Sequence, residues 1–294
     1  MKKDFEQEEL AQYCAPGACG KQELISLTGG VRLRLTTFHP ARETGNPAVL
    51  FIAGWITQMA AWKDVLPELT SDFTVYYLET REKISSQVTG VTDYSVQAIG
   101  QDIADFVAQK KLANYVLLGS SLGATAIIDC FAYLHSKPEA LVLINPNAEF
   151  RVPKSWVLLI RLFYPPLYFL IRPAVKWYLR TFRMDLESDL AQYRKYCRAL
   201  DAADPWKLKK AVLSLRTYSA WDRLEAIDVP VLFIGASKDS LHEPESVGKM
   251  SQLVRNGRHL DMETNSTTHS REMVKKVRMF LKEVDGFDGL GIKQ

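Results

Sequence analysis

The stretch NYVLLGSSLGATAII, residues 114–128, runs apolar, turns to small residues, and then runs apolar again. Residues 114–120 read as a buried strand, and the apolar pattern from Leu122 onward reads as a helix. Between them, Ser120 and Ser121 sit side by side inside Gly119 and Gly123. Two readings are open. The turn simply needs small residues to let a strand meet a helix, or the pattern G-x-S-x-G displays Ser121 as a nucleophile. The pentapeptide alone does not separate them.

Outward from this stretch, short apolar runs alternate with helical patterns. Residues 23–38 read as a hairpin around Gly29-Gly30, and residues 48–55 and 73–80 as strands. A short helix is expected over 59–69. Another is expected over 92–110, capped by Thr92 or Asp93, with Val96, Ile99, Ile103, Phe106 and Val107 on one face. Strands follow at 139–146, 230–237 and 258–264, with helices over 243–256 and from His269 to about residue 284. Continuous apolar strands alternating with helices predict an α/β fold, a mostly parallel sheet covered by helices on both faces. Residues 150–222 break the alternation and read as a helical insertion. The expected organisation is an N-terminal extension (1–22), a core (23–149 and 223–285), the insertion (150–222) and a C-terminal tail (286–294).

Composition narrows the classes. The chain has 294 residues, 47% hydrophobic and 24% charged, with a net charge of +3. A chain of this length buries roughly three quarters of its unfolded surface and needs no metal or disulfide to fold. The mild charge argues against a nucleic-acid partner. Cys14 and Cys19 form a C-x4-C pair with no second pair and no histidine cluster, so they read as free thiols rather than a zinc site. The N-terminus has two lysines but no apolar segment after them and does not read as a signal peptide. Residues 156–179 are the nearest approach to a membrane span. Arg161, Arg172 and Lys176, with three prolines, interrupt them.

A nucleophilic serine needs a base, an acid to orient it, and oxyanion donors. Asp239 follows the strand over 230–237, with Glu243 as the rival acid and His242 close by as a pocket residue. Of the five histidines, only His269 lies after the last strand, on a loop at the carboxyl edge of the sheet, where such folds bind ligands. The order Ser121, Asp239, His269 resembles that of the α/β-hydrolase superfamily, over residues 23–284. The resemblance implies Ser121 as nucleophile, Asp239 as acid and His269 as base. It also implies the backbone N–H groups of Trp55 and Leu122 as oxyanion donors, with Ser120 and Trp55 lining the substrate pocket beside His242. Many members carry His-Gly before the first donor. This chain has Ala53-Gly54, so the hydrogen bonds that such a histidine makes to its loop are lost.

The resemblance makes the insertion a cap over the site. Residues 151–184 contain seven basic residues and no acidic one, interleaved with aromatics. One reading is an ordinary helical cap with solvated arginines. The sharper one is a cap that meets an apolar acyl substrate joined to an anionic acyl carrier, or an anionic membrane surface. The expected function is a serine hydrolase that cleaves a carboxylic ester through an acyl-enzyme, with no cofactor and no metal. The location expected is cytoplasmic or peripheral to a membrane. An acyl thioesterase, an acyltransferase using the same serine, and a non-catalytic binding protein stay open as alternatives.

Overall fold

Every residue from Tyr115 to Ser120 is buried, because this strand lies in the middle of the sheet with helices on both sides. The structure is a computed structural model that describes residues 9–89, 93–150, 152–183, 186–239 and 243–284, without the side chains of 183, 186–189, 191, 192 and 244. In chain order the strands are β1 (Cys19–Leu27), β2 (Val31–His39), β3 (Ala48–Ile52), β4 (Val75–Leu78), β5 (Gln87–Val88), β6 (Tyr115–Ser120), β7 (Ala140–Ile144), β8 (Val231–Gly235) and β9 (Gly257–Asp261). They form one sheet in the order β1-β2-β4-β3-β6-β7-β8-β9, with β5 paired to β2. From β4 to β9 the neighbours are parallel, and the β1–β2 hairpin joins antiparallel at one end.

The two-residue period of the strands divides the core in two. Leu50, Ile52, Leu117, Leu141 and Leu143 face one layer. Val49, Phe51, Val116, Leu118, Val142 and Ile144 face the other. Helices α2 (Val96–Lys110), α3 (Leu122–Cys130) and α9 (Pro244–Leu253) cover the first layer, and α1 (Leu66–Leu69) and α10 (Arg271–Glu283) cover the second. Leu10, Tyr13 and Ala15 also pack into or beside that second layer, and the Ala15 N–H donates to Thr70 Oγ1 at 2.8 Å. Residues 10–15 of the expected N-terminal extension are therefore stitched into the core. Cys14 and Cys19 are free thiols, the first half-buried and the second exposed.

The boundaries differ from expectation where capping and proline intervene. The hairpin begins four residues earlier, at Cys19. Helix α2 starts after Ser95, whose Oγ accepts from the Ala98 N–H at 3.2 Å, while Asp93 orients Ser95 and Thr92 lies outside the described residues. The helix expected over 59–69 is a 3-10 turn, Met59–Trp62, followed by α1. Pro67 has no N–H to continue a helix and suits only a first turn. The last helix begins at Arg271, so His269 sits in a 3-10 turn ahead of it.

The insertion lies between neighbouring parallel strands β7 and β8. Its two ends are tied together by a bridge between Glu149 and Ser219 and by the Ala220 N–H to Ala148 carbonyl bond at 2.8 Å. Within it are α4 (Lys154–Leu162), α5 (Tyr168–Tyr178), α6 (Leu186–Asp201) and α7 (Pro205–Leu215), and α8 (Trp221–Leu224) follows. Among the described residues no single helix is long and apolar enough to cross a membrane.

Candidate active site

The turn between β6 and α3 is tight enough to dictate its glycines. A Cβ on Gly119 would lie 2.6 Å from Ile127 Cδ1 and 2.8 Å from the Ala124 backbone. One on Gly123 would lie 2.1 Å from the Ile52 carbonyl oxygen. Strand β3 therefore packs directly on the first turn of α3. Ser121 absorbs the reversal at φ 51° and ψ −120°, a region that costs a non-glycine residue about 1–3 kcal/mol. Its N–H donates to the Ile144 carbonyl at 2.8 Å, which holds the turn in place. The Ser121 side chain makes no helix cap. Its Oγ instead accepts from Asn147 Nδ2 at 3.2 Å. Ser120, by contrast, ends β6 opposite Ile144 and is buried within the sheet.

Leu122 opens α3, so its N–H is among the donors that a helix start leaves without intrahelical partners. The other expected donor, Trp55, lies in the turn after β3. Its successor Ile56 has φ 49°, a strained value for a β-branched residue. Lys83 holds that strain in place. Its ammonium is buried and donates to the Gly54 carbonyl at 2.7 Å and the Thr57 carbonyl at 2.8 Å, on either side of Trp55 and Ile56. The support expected to be missing along with a histidine at position 53 thus comes from the loop after β4. Burial pushes the Lys83 ammonium below its ordinary range, while Glu82 and Glu79 draw it back up. The same loop is fixed by Arg81, which grips Asp102 with two 2.7 Å bonds, and by Lys207 of α7, which donates to the carbonyls of Lys83 and Ser86.

Asp239 follows β8 as the sequence predicts and is buried. The rival, Glu243, is exposed and accepts from Ser246 at the start of α9. His242 lies outside the described residues. The contacts described for Asp239 and His269 converge on Asn265: Nδ2 donates to Asp239 Oδ2 at 2.7 Å, and the carbonyl lies 2.9 Å from His269 Nδ1. A carbonyl only accepts, so that contact puts the proton on Nδ1. His269 Nε2 then faces Lys195 Nζ of α6 at 2.5 Å, and the ring stacks on Trp62 with centroids 4.1 Å apart. The described contacts of Ser121 run to Ile144, Thr125 and Asn147. Neither Asp239 nor His269 is among them.

A cleft of about 620 Å³ opens beside His269. Among the described side chains, Lys63, Arg194, Lys195, Arg198, Arg271 and Lys275 line it against Asp64 and Glu272. Sequence reading missed Lys83, Asn147, Lys195, Trp62 and Asn265 as members of this neighbourhood. Only the charged run ETREK after β4, unusual behind a buried parallel strand, carried a signal.

No protein-family model matches the chain. An N-formylmaleamate deformylase from Pseudomonas putida is 33% identical over 109 residues, 37% of this chain and 41% of that protein. The match thus spans less than half the length of that curated relative. A hydrolase from Pseudomonas aeruginosa PA01 superposes with a TM-score of 0.73 at 17% identity, covering 90% of this chain and 98% of that one. The enol-lactonase from Burkholderia xenovorans LB400 gives 0.73 at 17% identity, covering 88% and 100%. Identities this low speak to the fold alone, and the strand order and the serine turn speak to the same one: the chain has the α/β-hydrolase fold.

Proposed function

We propose that the protein is a serine hydrolase that cleaves a carboxylic ester of an apolar acyl substrate through an acyl-enzyme. The observation that carries this reading is the strained backbone of Ser121, wedged by two sterically required glycines at the carboxyl edge of the sheet. A turn needing only small residues has no reason to hold a serine at positive φ.

In the proposed reaction Ser121 Oγ bonds to the carbonyl carbon as its proton passes to His269 Nε2. The carbonyl oxygen, now an oxyanion, is met by the N–H groups of Trp55 and Leu122. Collapse breaks the bond to the leaving group, which takes the proton from His269. Water then repeats the sequence and releases the acid. Asp239 stabilises the imidazolium, directly or through Asn265. Nε2 must leave Lys195 to reach the serine, so catalysis requires the cap lysine to withdraw or the ring to turn. Loss of the serine costs on the order of a millionfold in kcat in such sites.

The cation-lined cleft beside His269 favours a second reading, an acyl thioesterase whose leaving group carries phosphates. Comparing turnover of an ester and of a phosphate-bearing thioester with the same acyl chain separates the two. The hydrolase reading itself is tested by a fluorophosphonate probe, which should label the parent protein and not Ser121→Ala. An unlabelled parent, or equal labelling of the variant, refutes it.

A further inference from the structure

Helices α4 and α5 carry their apolar residues outward. In α4 no residue is buried, and in α5 only Tyr168 is. Leu162 is 76% exposed, Leu170 75%, and Trp156 and Trp177 60% each. Polar contacts fasten the pair to the rest of the cap from beneath. Tyr168 donates to the Leu200 carbonyl, Arg172 and Lys176 pair with Asp201, and Lys209 donates to the carbonyls of Arg161 and Phe163. The helices are thus already docked on one side, and the apolar side is the one left facing away.

Two further features say what covers that side. Residues 152–183 contain no Asp or Glu. Lys154, Arg161 and Arg180 have no acidic partner among the described residues. The pair is also bent by 103° between Lys154–Leu162 and Pro165–Phe182, so it cannot cross a bilayer as one straight span. A bent, apolar, basic helix pair with tryptophans suits the plane of a lipid interface, where aromatics and leucines enter the acyl boundary and cations meet headgroup phosphates. A second copy of the chain fits poorly, because it would set cations against cations.

We infer that α4 and α5 form a docking surface for an anionic lipid bilayer. The inference concerns binding and stands apart from the hydrolase reading. The test uses the whole protein and phosphatidylcholine vesicles made with and without phosphatidylglycerol, in a sedimentation assay. Binding is expected with phosphatidylglycerol, weaker without it, and weakened by salt. The double variant Leu162→Glu/Leu170→Glu should bind about a hundredfold more weakly, since burying each leucine is worth at least about tenfold. Arg161→Gln/Arg180→Gln should lose about fivefold per charge on anionic vesicles only. All four side chains lie outside the core, and an unchanged thermal midpoint checks the fold. No vesicle binding, undiminished binding by both variants, or a dimer that the leucine variant dissociates overturns the inference. A protein that binds anionic vesicles but takes no fluorophosphonate label keeps this inference and loses the hydrolase reading.

Discussion

Replacing Lys83 by Met removes the ammonium that joins the Gly54 and Thr57 carbonyls. Two hydrogen bonds to a charged donor contribute roughly 1.5–3 kcal/mol each. Against them stands the cost of burying the ammonium, visible in its lowered pKa. The variant also removes the favourable charge interaction with the buried carboxylate of Glu82, whose Oε2 has no hydrogen-bond partner among the described residues. The net loss of stability should be about 2–4 kcal/mol. The larger consequence is kinetic. Ile56 sits at a strained φ that the lysine helps to enforce, and once released it should relax, carrying the Trp55 N–H off line. Losing one oxyanion donor costs about 100- to 1000-fold in kcat. The assay is ester turnover and fluorophosphonate labelling rate, with KM and the urea midpoint measured in parallel. The expected result is a kcat loss of that size with KM little changed. A variant that keeps kcat within about threefold of the parent refutes the positioning role of Lys83. A pH signature accompanies it. The folded ammonium loses its proton before the unfolded one, whose ordinary pKa is 10.5. Between those two values the unfolded chain holds more protons, so the stability contribution of Lys83 should rise with pH there, and Lys83→Met should lack that rise.

Two other predictions concern single contacts. Lys195→Met removes the ammonium facing His269 Nε2 and should raise the fluorophosphonate labelling rate about tenfold, the worth of one charge-assisted hydrogen bond; an unchanged or slower rate would show that Lys195 does not restrain the base. The Cys14 thiol is pushed up to about 11 by burial and by Cys19. Because the thiolate is the nucleophile, alkylation of Cys14 should be slow at neutral pH and climb about tenfold per pH unit toward that value, with exposed Cys19 reacting first in a mass-spectrometric time course.

Much of the core was legible because it is written in local patterns. Buried parallel strands are continuous apolar runs, and the serine turn is five consecutive residues whose glycines are required by contacts that any strand-to-helix reversal of this kind makes. The positions of Asp239 and His269 followed from which strands they trail. Where a helix starts was less legible. Whether Ser95, Asp93 or Thr92 caps α2 depends on a single 3.2 Å bond that all three residue types can make.

The sequence by itself determined the layered α/β sheet, the helical insertion between β7 and β8 and the tight serine turn, since each is encoded by neighbours in the chain. The tertiary structure alone decided what surrounds them. Lys83 reaches Gly54 across 29 positions and Lys195 reaches His269 across 74. The apolar side of α4 and α5 turned outward only because Asp201, Leu200 and Lys209 hold their polar contacts beneath. A lysine looks the same in a sequence whether it is solvated, clamps a loop or faces a base, because its role is set by which distant carbonyl or ring nitrogen folding brings within about 3 Å of its ammonium.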